Sequence, residues 1–174
     1  EVPAAEAEAE AGGAGAGPEA EAEAQAPKSL REVREGLDGE MRRKLAEVLA
    51  KKQLEVDEEN SQIKFNKNVE FEKRQRGVAP TATFKDGART MELLKDLAQV
   101  LEIYGTAKLD IEGHSSTPDE KLDGWSHELA SNRAKKVKDA LASLGVQPER
   151  VKAVGKPGRH GTGKSEVIFR ITHL

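Results

Sequence analysis

The sequence predicts an α/β (α+β) two-layer sandwich, with helices on one face of a mixed sheet of about four strands. From residue 61 onward, segments with an apolar residue at every second position alternate with segments in which apolar residues recur every three or four. The order is strand, helix, strand, helix, strand, strand. Strands joined through helices favour parallel neighbours, whereas the short last loop favours an antiparallel pair. A helical segment and a hairpin precede the sandwich.

The first 27 residues consist almost wholly of Ala, Glu, Gly and Pro. Such a segment cannot bury enough apolar surface to offset the entropy lost on ordering. We predict a low-complexity acidic tail that serves as a tether or as a docking peptide for a protein partner. It holds seven Glu and no Lys or Arg, so residues 28–174 carry +4 of a chain whose formal net charge is −3.

This mild basicity is a weak hint of anionic partners. The basic residues are scattered and no aromatics interleave with them, so we predict no nucleic-acid partner. The chain has no Cys, which excludes disulfides and thiolate metal sites, and no apolar run long enough to span a membrane. The chain begins with Glu, which we interpret as a processed or trimmed start.

Residues 28–52 have one apolar stripe at helical spacing, interrupted at Gly36 and Gly39. We predict two helices or one kinked helix, with Asp38 available as a cap. The stripe either packs on the domain that follows or pairs with a protein partner. Packing is the favoured interpretation because a strand pattern comes directly after it.

Alternating residues around the polar turn at 59–61 predict a hairpin. We place a boundary in this turn, which separates a helical segment with the first hairpin strand (residues 28–59) from the main domain (residues 60–174). Residues 72–86 contain Arg, Gly and Pro and are predicted to be loop. A helix over 87–104 follows.

The centre of the chain predicts a strand at residues 108–113, a polar loop and a long amphipathic helix that ends at Gly145. Ser126 is predicted to cap the start of this helix. A strand at 151–154, a Gly-rich loop and a last strand at 166–172 complete the fold.

The polar end of the central strand and the start of the long helix carry the most specific motif. It reads Gly113-His114-Ser115-Ser116 and then, after a loop, Trp125-Ser126-His127-Glu128-Leu129-Ala130-Ser131-Asn132-Arg133-Ala134-Lys135-Lys136-Val137. With the matching element order, residues 60–172 resemble the OmpA-like C-terminal domain, the family of peptidoglycan-associated lipoproteins and flagellar stator anchors.

The resemblance implies binding of the diaminopimelate of peptidoglycan, in which an Asp holds an ammonium and an Arg holds a carboxylate. Arg133 stands at the family's Arg position, and Ser116 stands where the family has Asp. His114 belongs to the same motif and is the third family-implied ligand residue. Asp119 and Asp123 are possible substitutes for the missing Asp.

The basic pair that the family carries before its last strand is also missing. Lys164, Ser165 and Glu166 occupy that region, and Lys164 is a possible auxiliary residue. Simpler interpretations stay open for three of the motif residues. Arg133 would pair only with Asp110 or Glu112, His114 would bond the loop backbone, and Trp125 would cover the edge of the core.

Residues 158–165 match the phosphate-binding P-loop pattern letter for letter. The pattern requires a helix that starts at Lys-Ser, and here a β-branched strand pattern follows instead. We therefore predict no nucleotide site. No catalytic set is present and the four His lack metal-ligand spacing, so we predict no enzymatic activity, no cofactor and no metal.

Two functions follow. The first is a non-catalytic module that anchors an envelope or a complex to peptidoglycan, in the periplasm or cell envelope by resemblance. The second is a structural subunit or adaptor that kept the fold and lost the ligand, in an organellar, membrane-associated assembly. The apolar stripe of residues 28–52 and the acidic tail are its expected protein-binding surfaces.

Overall fold

A computed structural model describes residues 28–174, and the predicted acidic tail lies outside the described residues. The described part forms four α-helices and five β-strands. In chain order these are α1 (Leu30–Glu35), α2 (Gly39–Ala50), β1 (Leu54–Asp57), β2 (Gln62–Phe65), α3 (Gly87–Ile103), β3 (Lys108–Ser115), α4 (Gly124–Ser143), β4 (Val151–Pro157) and β5 (Glu166–His173).

The five strands make one mixed sheet in the order β1-β2-β5-β3-β4. β3 and β4 are joined through α4 and are parallel, as predicted for strands linked by a helix. The α/β fold with a mixed sheet is confirmed. The expected antiparallel pairing of the last two strands is wrong, because β5 pairs with β3 and β2 instead. The loop of residues 158–165 therefore crosses β3, so that β4 and β5 lie on opposite sides of that strand.

The core lies on one side of the sheet, under the helices. Leu109 and Ile111 of β3 and Phe169 of β5 are at most 1% exposed, and they pack with Leu97 of α3 and Val137 of α4. Alternate residues of β3 point to the opposite face. No helix among residues 28–174 combines the length and the apolar character needed to cross a membrane.

The apolar stripe of residues 28–52 packs inside the molecule. Leu30 is 1% exposed, Leu45 and Val48 are 4% exposed, and all three belong to the same cluster as the sheet residues. β1 also pairs with β2 within the one sheet. The favoured packing interpretation is confirmed, and the boundary in the turn at 59–61 stays a prediction.

α4 begins one turn earlier than expected. Its N-cap is Asp123, whose Oδ1 accepts a hydrogen bond from the Ser126 backbone N–H at 3.0 Å, so the prediction of a Ser126 cap is wrong. The hydroxyl of Ser126 in turn accepts from the Asp123 N–H, which completes a reciprocal capping box. Asp123 caps the helix in preference to Ser126 because its negative carboxylate interacts more favourably with the positive end of the helix dipole.

Two glycines let α4 lie directly on the sheet. Gly113 of β3 and Gly155 of β4 are register partners, so they stand side by side. A Cβ on Gly113 would be 2.5 Å from the Ala130 carbonyl oxygen, and one on Gly155 would be 2.5 Å from the Ser131 nitrogen. The close approach brings the next turn of α4, with Arg133, to the polar end of β3.

Candidate functional site

A cavity of about 370 Å³ opens where β3 and β5 meet the connecting loop (residues 66–86) that joins β2 to α3. Arg133 of α4 and the Gly113-His114 segment of β3 line it. The connecting loop contributes Glu70, Phe71, Lys73 and Lys85, and the start of β5 contributes Glu166. The motif strand and the motif helix are therefore brought together, as the sequence predicted.

The connecting loop is fastened to α4 by hydrogen bonds to its backbone. The Trp125 indole N–H donates to the Val78 carbonyl at 2.8 Å, and the Asn132 amide donates to the Pro80 carbonyl at 2.7 Å. The guanidinium of Arg76 lies 5.5 Å from the Trp125 ring centroid. Trp125 thus holds the loop in place. Arg76 covers the face of its ring, so that face is not free to stack on a sugar.

Arg133 carries the unmatched donor of this cavity. Its Nε is buried and has no hydrogen-bond partner among the described residues. Its guanidinium carbon lies 5.5 Å from the Phe71 ring centroid, so an aromatic face backs the charge. Burial lowers the pKa of Arg133, but an arginine stays charged at neutral pH. A partnerless buried donor of this kind is a place where a ligand oxygen could bind.

The expected ion pair of Arg133 with Asp110 or Glu112 is wrong. Glu112 is 3% exposed and is held on the opposite face of the sheet by Lys156 at 2.9 Å and Arg170 at 2.7 Å. Neighbouring residues of a strand point to opposite sides, and Gly113 faces α4, so Glu112 faces away from the helix that carries Arg133. The partner that sequence spacing suggested is therefore out of reach.

Both ring nitrogens of His114 are occupied. Nε2 lies 3.1 Å from a Glu112 carboxylate oxygen, and Nδ1 accepts from the Thr162 backbone N–H at 2.9 Å. An N–H can only donate, so Nδ1 is the acceptor and Nε2 carries the proton. The interpretation of His114 as a residue that bonds the loop backbone fits this geometry, and the ring lies with Glu112 on the outer face of the sheet.

The remaining predicted site residues lie outside the lining of the cavity. Ser116 is exposed, and Asp119 lies 3.9 Å from Arg159 on the surface. Asp123 caps α4 and pairs with Arg76 at 2.5 Å, which lowers the pKa of its carboxyl. Lys164 is exposed in the Gly-rich loop. Asp123 is thus fully engaged in holding the helix start.

The Gly-rich loop does not form a P-loop. Residues 158–160 make one 3₁₀ turn, and β5 rather than a helix follows Ser165. The loop instead covers the motif histidine, because a Cβ on Gly161 would collide with the His114 ring. The prediction that no helix starts at Lys164 is confirmed.

Sequence reasoning missed two acidic residues that line the cavity, Glu70 and Glu166. Glu166 pairs with His114, so its side chain points to the outer face of the sheet, opposite to α4. Glu70 lies in the connecting loop, which has no apolar period. Glu166 opens the last strand, and its place beside His114 depends on the β3–β5 register. The only signal in the sequence was that Glu166 occupies the region of the family's missing basic pair.

Residues 82–166 match the sequence model described as the OmpA family. A search of curated protein sequences finds no match. A putative MotB-like protein from Desulfovibrio vulgaris has 16% identity and a TM-score of 0.48, with 78% of this chain and 90% of that chain covered.

Two further solved structures are similar. The peptidoglycan-associated lipoprotein from Burkholderia pseudomallei has 20% identity and a TM-score of 0.43, with 62% of this chain and 91% of that chain covered. The cell wall anchor of the T6SS from Pseudomonas aeruginosa has 19% identity and a TM-score of 0.44, with 77% and 97% covered.

Proposed function

We propose, from the premise that residues 82–166 form an OmpA-family domain, that this protein is a non-catalytic module that anchors its assembly to peptidoglycan. The observation that carries the proposal is the guanidinium of Arg133, which lines the cavity with a buried and partnerless Nε. The proposed compartment is the periplasm or the cell envelope, where peptidoglycan occurs.

The chemistry of the cavity supports a carboxylate ligand. A guanidinium presents its N–H donors as a planar fork that matches both oxygens of one carboxylate. The stem peptides of peptidoglycan carry such carboxylates on diaminopimelate. A buried donor without a partner costs about 1–3 kcal/mol, and a bound carboxylate oxygen would recover that cost. The free energy recovered when the donor gains a partner therefore favours binding of a carboxylate.

A pull-down with purified, diaminopimelate-containing peptidoglycan tests the proposal. Arg133→Ala should weaken binding about ten- to hundredfold, because a hydrogen bond to a charged group contributes about 1.5–3 kcal/mol. Lys135→Ala is the matched control, since it removes one positive charge from an exposed position of the same helix outside the cavity. Equal binding by the Arg133→Ala variant and the unmodified protein would contradict the proposed role of Arg133.

The second candidate is a structural subunit or adaptor without the ligand. The exposed Ser116, at the position of the family's Asp, favours it, because a hydroxyl provides no charge for an ammonium. Leu30, Leu45 and Val48 of the stripe are buried, and its other apolar members pack partly buried against the core, so the stripe offers such an adaptor little free surface. Failure of the unmodified protein to bind peptidoglycan would favour this candidate.

A further inference from the structure

We propose that the chain carries its own ligand for this cavity: a glutamate of the acidic tail, residues 1–27, places its side-chain carboxylate at Arg133. The tail thereby competes with external carboxylates and lowers their apparent affinity. The inference rests on the proposed function, because it concerns the regulation of the same site. The occupant is an acidic peptide segment, and it brings no ammonium into the cavity.

The residues that line the cavity leave it with an excess of positive charge. Its basic residues are Lys73, Lys85 and Arg133. Of its two acidic residues, Glu166 directs its side chain to the outer face of the sheet, and Glu70 lies 3.9 Å from Lys85. The buried Nε of Arg133 donates to no acceptor among residues 28–174. A cavity with this balance of charges attracts an anion.

The tail has the complementary charge. It holds seven Glu and neither Lys nor Arg, whereas residues 28–174 carry +4. Most of the residues between the glutamates are Ala and Gly. Their small side chains place no bulky group beside a carboxylate that enters a cavity of about 370 Å³. Electrostatic attraction therefore favours contact between the tail and the basic part of the chain.

The tail is long enough to reach the cavity. It joins the described chain directly before α1, whose Arg34 pairs at 2.6 Å with Glu58, the residue after β1. The strand registers align the last residue of β1 with Asp110 of β3, and the cavity lies at Gly113, further along that strand. The two points are about 20 Å apart, from the rise per residue and the spacing of strands. A tail of 27 residues spans up to about 90 Å when extended.

Covalent attachment makes a weak contact effective. A segment tethered at this range has an effective concentration on the order of 1 mM. A tail carboxylate with a Kd of about 1 mM would halve the apparent affinity of an external ligand, and one with a Kd of about 0.1 mM would lower it about tenfold. Because salt screens the attraction, the competition should decrease as the ionic strength rises.

NMR of the full chain without added ligand tests the contact directly. The probe is the Nε–H resonance of Arg133, which is assigned by its disappearance in Arg133→Lys. The test variant carries Glu→Gln at every glutamate of the tail, namely Glu1, Glu6, Glu8, Glu10, Glu19, Glu21 and Glu23. The resonance should shift in this variant, because a neutral amide replaces the charged acceptor. Glu→Asp at the same positions keeps the carboxylates and should leave the resonance near its unmodified position.

The pull-down with peptidoglycan measures the competition. The Glu→Gln tail variant should bind about two- to tenfold more tightly than the unmodified protein, because the internal competitor is removed. In an Arg133→Ala background the same replacement should produce no gain. A general repulsion between the tail and peptidoglycan would instead act equally in both backgrounds.

The outcomes separate this inference from the proposed function. An unchanged Nε–H resonance in the Glu→Gln tail variant would overturn the contact, and peptidoglycan binding that depends on Arg133 would then leave the proposed function standing. An equal gain in binding with and without Arg133 would overturn the competition. A shift that grows with protein concentration would assign the contact to the tail of a second copy and overturn the internal one. A shifted resonance in a protein that does not bind peptidoglycan would support the contact and contradict the proposed function.

Discussion

Glu112 is a charged residue on the outer face of the sheet that is nevertheless only 3% exposed. One carboxylate oxygen accepts from Lys156 and Arg170, and the other lies beside the Nε2–H of His114. Burial raises the pKa of Glu112, but hydrogen bonds from Lys156, Arg170 and His114 outweigh that effect and lower the pKa overall. The charged form of Glu112 therefore stabilises the fold and, through His114, helps to hold the Gly-rich loop at Thr162.

Glu112→Gln should lower the free energy of unfolding by about 1.5–3 kcal/mol, because the neutral amide makes weaker hydrogen bonds with two cations. The side chains of Lys156 and Arg170 are 38% and 41% exposed, and screening by solvent favours the lower end of that range. Urea unfolding measures the change, and Glu47→Gln on the surface of α2 is the control expected to leave stability unchanged.

The loss should depend on pH in a defined direction. The pKa of Glu112 is lower in the folded protein than its ordinary value of 4.5, so its contribution is present above that value and is lost as pH falls through the folded pKa. The difference in stability between Glu112→Gln and the unmodified protein should therefore be largest near pH 7 and shrink below about pH 4.5. A difference that stays constant across this window would contradict the assignment.

At the scale of elements, the packing of α4 on the sheet determines where Arg133 lies. Gly113 and Gly155 stand side by side in β3 and β4, and the Ala130–Ser131 turn rests on them at backbone contact distance. The motif glycine is thus required by the packing of a helix on a strand. The sequence predicted that the strand and the helix meet, but not that a second glycine from β4 completes the contact.

Gly155→Ala should displace α4 and destabilise the protein. The new Cβ would be 2.5 Å from the Ser131 backbone nitrogen, which cannot turn aside as a flexible side chain would. Overpacking of this kind costs about 1–3 kcal/mol. Gly124→Ala, at the start of the same helix, has open space around its Cβ and should be neutral or slightly stabilising.

Chemical denaturation of the two variants compares them directly. Equal unfolding midpoints for Gly155→Ala and Gly124→Ala would show that α4 can shift without cost. Such an outcome would also weaken the view that these glycines fix Arg133 at the cavity.

At the scale of the whole molecule, the sequence predicted the elements better than their arrangement. Apolar periodicity is local, so the helical segment of residues 28–52, the two later helices and the strands were recognisable before the structure, although the segment was left open as two helices or one kinked helix. The place of β5 between β2 and β3 depends on pairing between segments about 50 to 110 residues apart. For the same reason the cavity could be predicted only in part, because Arg133 and His114 belong to a motif and Glu166 enters through strand order.

The predicted boundary in the turn at residues 59–61 leads to a test of the whole fold. Residues 28–59 contribute Leu30, Leu45, Val48 and Leu54 to the core, each at most 4% exposed. Burying a side chain of this size contributes about 1.5–3 kcal/mol, so the four together contribute about 6–12 kcal/mol. That is comparable with the total stability of a typical domain, about 5–15 kcal/mol.

A protein comprising residues 60–174 should therefore fail to fold stably, although the family match begins only at residue 82. Its β2 would also lose its partner β1 and become an open sheet edge, which promotes aggregation. Circular dichroism and urea unfolding should show a cooperative transition for residues 28–174 and none for residues 60–174. A cooperative transition with the same midpoint in the shorter protein would instead make residues 28–59 a separate unit, free to engage a partner through their apolar stripe.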